Sequence, residues 1–184
     1  MSARFIGFVF VLAVQLLAII PIVNATTVVQ LSDSQLVNSS DIIALGTVSS
    51  TSTSRGAGGL VTTSAVLQIE QLLSGNTSSS SVTVIRYGGS FEGQQYHMAG
   101  NATLSQGERV VVFLNKASAE EYAIVGLAQG KYLVQGVSED GDLVLSRDLG
   151  ELNFYERSNG TTATGTQEKT TLSEIVEKIA SVKE

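Results

Sequence analysis

The chain has no cysteine and no tryptophan, and only one proline and one histidine among its 184 residues. Without cysteine there is no disulfide, no thiol nucleophile, no Cys-based zinc site and no iron–sulfur cluster. With His97 as the sole imidazole, a zinc site runs short of nitrogen ligands, and no His-Glu-x-x-His is present. A Ser-His-Asp triad would have to use His97. Its nearest serine context, Gly88-Gly-Ser90-Phe-Glu92, lacks the Gly-x-Ser-x-Gly elbow that exposes a nucleophile. Basic residues are scarce as well: eleven Lys and Arg against seventeen Asp and Glu, for a formal charge of −6. That balance disfavours nucleic acid, whose binding runs on phosphate neutralisation. The composition thus predicts no cofactor, no metal and no catalytic constellation.

The one proline, Pro21, closes an apolar run from Phe5 to Ile20 that follows a single charge, Arg4. Val23-Asn24-Ala25 then places small residues where a signal peptidase reads. This is the order of a secretory signal, with cleavage expected after Ala25 and Thr26 as the first mature residue. The alternative is an uncleaved anchor, since Phe5 to Val23 almost spans a bilayer. Without residues 1–25 the chain keeps ten basic and seventeen acidic residues, a net −7. About 159 residues make one ordinary domain. The expected organisation is a domain over 26–157, a Gly/Thr-rich linker over 158–169 and a C-terminal helix over 170–184.

Most of the domain reads as strand. Ser32-Asp-Ser-Gln35 has capping-box spacing and predicts a short helix, with Leu36 and Val37 facing inward. Asp41 to Val48 is apolar on both faces, as in a strand buried on both sides. Leu60 to Leu72 alternates, with Val61, Thr63, Ala65, Leu67 and Ile69 on one side. Val82–Tyr87, Arg109–Leu114, Tyr122–Leu127 and Tyr132–Val137 follow as strands. Glu139-Asp-Gly-Asp142 forms a hairpin turn into Leu143–Leu145. Near the end, Thr171-x-x-Glu174 has capping-box spacing, and Leu172, Ile175, Val176, Ile179 and Val182 recur at helical period. That stripe either docks on the sheet or binds a partner.

Gly126-Leu-Ala-Gln-Gly130-Lys131 looks like a nucleotide-binding loop, but a P-loop has four residues before its Gly-Lys pair and Ser or Thr after it. Here there are three, Tyr132 follows, and both flanks read as strand. The stretch predicts a bend between strands, with Lys131 as a solvated side chain and no nucleotide.

Several pieces resemble a family of uncharacterised secreted proteins of bacteria and archaea. They are the run Ser34 to Val48, the turn Leu72-Leu-Ser-Gly75, Gly107-Glu-Arg-Val-Val-Val-Phe-Leu114 and Val125-Gly-Leu-Ala-Gln-Gly-Lys-Tyr132. Their order is also similar to the netrin-like, TIMP-like modules, over roughly Leu31 to Val137. The resemblance implies an all-β fold, a small OB-like β-barrel, here with a short N-terminal helix and a C-terminal amphipathic helix. TIMP inhibitors chelate protease zinc through a disulfide-held N-terminal cysteine. This chain has Thr26-Thr27 there, so the mechanism does not carry over on its motifs.

The carboxylate pairs Glu120-Glu121 and Glu139-Asp140-x-Asp142 lie in turns, where charge is ordinarily solvated. Tyr87, Phe91, Glu92, Tyr96 and His97 surround a Gly-rich loop and form the candidate binding surface, Tyr being favoured at interfaces. Asn38, Asn76, Asn101 and Asn159 head N-x-[ST] sequons and are glycosylation candidates in a host that glycosylates. The expected function is a non-catalytic exported or cell-surface module that binds an extracellular protein. The alternatives are an inhibitor of a secreted metalloprotease, with Thr26 and Thr27 as its N-terminal contacts, and a subunit of a surface filament that pairs with itself.

Overall fold

The computed structural model describes residues 26–56, 58–119 and 121–183. The expected signal segment 1–25 and Glu120 lie outside them. The described chain is predominantly β-sheet. In order it forms β1 (Thr26–Val28), α1 (Asp33–Asn38), β2 (Ile42–Arg55), β3 (Val61–Gly75), β4 (Ser81–Tyr87), β5 (Gly89–Phe91) and β6 (Gln94–Tyr96). Then come β7 (Arg109–Lys116), β8 (Glu121–Ile124), a 3-10 turn (Leu127–Gly130), β9 (Lys131–Val137) and β10 (Leu143–Asp148). The chain finishes with β11 (Leu152–Glu156), β12 (Thr161–Thr164), β13 (Gln167–Thr171) and α2 (Leu172–Lys183). No helix among the described residues is long and apolar enough to cross a membrane.

The large sheet runs β13-β10-β9-β7-β2-β3-β4-β8. Its far strand returns to the middle, because β8 pairs parallel with β4 and antiparallel with the C-terminal half of β7. The N-terminal half of β7 pairs with β9 instead, while its other edge pairs with β2. Successive side chains of a strand point to opposite faces. The doubly apolar strands β2 and β7 therefore feed two cores. Ile43, Leu45, Val111 and Phe113 pack with Leu36, Val37, Ile175 and Ile179 of the helices. Ile42, Val48, Val110, Val112 and Leu114 pack with Leu67, Val82 and Val84 of β3 and β4. The expected alternation of β3 is observed, with Val61, Thr63, Ala65 and Leu67 buried.

Both capping boxes form. Ser32 Oγ accepts from Gln35 N while Gln35 reaches back to Ser32 N, and Leu36 and Val37 are buried. At α2, Glu174 N donates to Thr171 Oγ1 and Thr171 N to Glu174 Oε2. The α2 stripe docks through Ile175 and Ile179, with Leu172 and Val182 alongside. Each fully buried Ile contributes roughly 1.5–3 kcal/mol. Val176 is the exception, at 42% exposed.

Residues 158–169 are not a linker. Thr161–Thr164 pairs with β11, and Gln167–Thr171 pairs with β10. Thr is β-branched and suits a strand, but β12 is exposed on every residue, so no apolar period betrays it. The segments β1, β5 and β11 carry equally short signals. β1 pairs parallel with β11, far from it in sequence, with Thr26 opposite Leu152.

Candidate functional site

The Gly-rich loop folds as a small hairpin. Phe91 pairs with Gln94 across Glu92-Gly93, both at positive φ. That is the backbone a two-residue turn matched to strand twist requires. The hairpin lies against the tip of β2–β3. Gly89 is the contact point, where an added Cβ would stand 2.2 Å from Thr63 Oγ1. Thr63 Oγ1 itself donates to the Gly88 carbonyl at 2.7 Å.

This juxtaposition builds an aromatic–cation stack. The Arg55 guanidinium sits 5.1 Å from the Phe91 ring centre and 5.2 Å from that of Tyr96. Arg55 Nη2 donates to Tyr96 Oη, which donates in turn to Gln94 Oε1 at 2.7 Å. Such contacts are worth about 0.5–1 kcal/mol at exposed sites. Together they hold Arg55, Phe91 and Tyr96 in one arrangement. Tyr87 and Leu60 are exposed large hydrophobics at neighbouring strand ends. Thus the structure brings Phe91, Glu92 and Tyr96 together on one short hairpin. Arg55 was missed: it precedes a Gly-rich turn, and its nearness to residue 91 is a tertiary fact.

His97 belongs elsewhere. Its Nε2 lies 3.3 Å from Glu151 Oε2, both groups largely exposed. The two line a polar cleft of about 370 Å³ with Glu108, Lys131, Ser146 and Asp148. Its groups are engaged with one another. Lys131 Nζ donates to Glu108 at 2.7 Å, Gln135 to Ser146 at 2.6 Å, and Glu151 accepts from Gly100 N at 3.1 Å. Lys131 is therefore not solvated; its side chain is 13% exposed. Ser90 makes no hydrogen bond to His97 among the described residues. Nor is there, among them, a group of three or more potential metal-ligating side chains.

The remaining candidates take ordinary positions. Thr26 N donates to the Glu151 carbonyl at 3.3 Å, and Thr26 Oγ1 to the Ala99 carbonyl at 2.7 Å. Thr27 pairs with Asn153, so the backbone of both residues is engaged in the sheet. Asp142 is not free in its turn: it accepts from Leu143 N at 2.8 Å and from Ser173 N at the start of α2 at 3.3 Å. Hydrogen bonds from Thr171 and Ser173 hold its carboxyl below the usual range. Asn38, Asn76 and Asn159 are exposed, and Asn101 is half-buried.

The 3-10 turn explains the loop that imitates a phosphate cradle. Gly126 is at φ 67, and a Cβ on Gly130 would meet the Val125 carbonyl oxygen at 2.4 Å. Both glycines answer to the backbone. No family model, curated protein or solved structure matches the chain.

Proposed function

We propose that this protein is a non-catalytic, exported module that binds another protein through the end carrying Arg55, Phe91 and Tyr96. The observation that carries this reading is the packing of Arg55 against both the Phe91 and Tyr96 rings, beside the exposed Tyr87 and Leu60. Arg and Tyr dominate interface hot spots, and a side chain already held in place loses less entropy on binding. The self-satisfied polar cleft around His97 supports the non-catalytic part. The export part rests on the Arg4 to Ala25 signal pattern.

The fold is read as OB-like. Five strands, β2-β3-β4-β8-β7, pair in a ring that returns to β2, with β4 and β8 parallel, and this connectivity supports a small closed barrel. Fold analogy alone is weak warrant for function. The protein-binding reading therefore stands on the stack.

A photo-crosslinking amino acid placed at Glu92, on the turn beside the stack, tests the reading. On the native cell surface it is expected to capture one extracellular protein, and Arg55→Ala with Tyr96→Ala should abolish the adduct. Adducts that survive the double substitution would overturn the reading. So would none at position 92 when the same reporter at Glu139 gives one. A ladder of self-adducts would put the filament reading first, and a secreted zinc protease the inhibitor reading.

A further inference from the structure

Val82, Val84 and Arg86 share one face of β4, by the two-residue period of a strand. Val82 and Val84 are buried in the core that β4 shares with β3. Opposite Arg86 stands Thr63, itself 5% exposed. Arg86, half-buried, thus continues an apolar row. Its Nε is fully buried and has no hydrogen-bond partner. No carboxylate among the described residues pairs with the side chain. Burial lowers its pKa, in the direction that marks desolvated charge. A buried donor left unmade is costly, and a charged one more so.

Arg86 borders a pocket of about 200 Å³. The other walls are mainly apolar: Ile85, the Tyr87 ring, Ala123, Ile124 and Leu127. A dry cavity of about 150 Å³ accepts benzene. This one has room for a body of that size plus one polar group beside the arginine. The group that suits a guanidinium is planar, anionic and bidentate, which is a carboxylate.

We propose that this pocket binds a small organic carboxylate with an apolar body of roughly benzene's size, the carboxylate on Arg86 and the body against Ala123, Ile124 and Leu127. The site shares Tyr87 with the candidate binding surface but none of Arg55, Phe91 and Tyr96, and it does not depend on the protein-binding reading.

The test titrates the intact, folded protein with phenylacetate and hexanoate, following ligand signals by saturation-transfer NMR and heats by calorimetry. Phenylacetamide serves as the uncharged control and inorganic phosphate as the anion without an apolar body. Both carboxylates are expected to saturate the protein at millimolar concentration or below, with the amide and phosphate at least tenfold weaker. Arg86→Gln should erase the preference for phenylacetate over the amide. Ala123→Leu, which fills the pocket and keeps the arginine, should weaken both carboxylates at least tenfold. No saturable carboxylate binding to the wild type, or phosphate binding equally well, overturns the proposal. So does a carboxylate preference that survives Arg86→Gln. If that variant fails to fold, the wild-type preference and Ala123→Leu decide alone.

Discussion

Lys131 Nζ lies 2.7 Å from Glu108 Oε2 and also donates to the Thr103 carbonyl at 2.6 Å. The lysine that imitates a phosphate ligand is a tie between β9 and the turn before β7. Both side chains are mostly buried, so removing one strands the other. Lys131→Met is expected to cost about 1–3 kcal/mol, the penalty of an unmade bond to a charged group. Glu108→Gln should cost less. In urea denaturation the double variant should lose clearly less than the sum of the singles. Strict additivity would show that the pair is not coupled.

Gly130 and Gly136 give a matched comparison. A Cβ on Gly130 would meet backbone oxygen at 2.4 Å, with Phe113 Cβ at 3.3 Å. A Cβ on Gly136, in the same strand region, meets nothing within 4 Å. Gly130→Ala should destabilise by about 2 kcal/mol or more, since neither neighbour yields easily. Gly136→Ala should be neutral or slightly stabilising, through the entropy of the unfolded chain. Equal effects in thermal denaturation would show that the close approach of Val125 to Gly130 is not held in solution.

What could be read in the sequence followed from periodicity. β3 and β7 announce themselves because burial is written into consecutive residues, and Ser32 and Thr171 because a capping box is local. β1, β11, β12 and β13 carry little signal: β1 and β13 gain their bonds from partners distant in sequence, β11 buries only Leu152 and Phe154, and β12, hairpinned onto β11, is exposed throughout. The same reason hid Arg55 and Arg86. A basic residue beside a Gly-rich turn and another in a strand carry no mark of what they face. His97 drew notice through rarity alone, and its place beside Glu151 depends on the β11 pairing.

The sequons differ in what their amides already do. Asn101 Nδ2 donates to the Tyr87 carbonyl at 3.0 Å and the residue is half-buried, whereas Asn76 is exposed on the β3–β4 loop. A glycan on Nδ2 consumes a donor hydrogen and needs open space. Expressed in a glycosylating host, the protein should carry sugar at Asn76 and not at Asn101. Glycopeptide mass spectrometry reads both sites at once. Full occupancy at Asn101 would mean the Tyr87 contact forms only after modification is complete, or not at all.

Tyr132 couples the helix-side core to alkaline pH. Its ring packs 6.0 Å from that of Phe113, and the Arg147 guanidinium lies 4.8 Å from its centre. Burial pushes its hydroxyl up to about 12, with Arg147 pulling down and Asp33 and Glu168 pushing up. An unfolded tyrosine titrates near 10. Between those values the unfolded chain has released the proton and the folded chain still holds it. The contribution of Tyr132 to stability is therefore complete below about pH 10 and falls as pH rises toward 12, by about 2–3 kcal/mol in all. Tyr132→Phe has no proton to lose there. Its urea midpoint should decline less steeply than that of the wild type from about pH 9.5 to 11.5. Parallel declines would mean that the hydroxyl is hydrated in the folded protein and that Arg147, rather than burial, sets its environment.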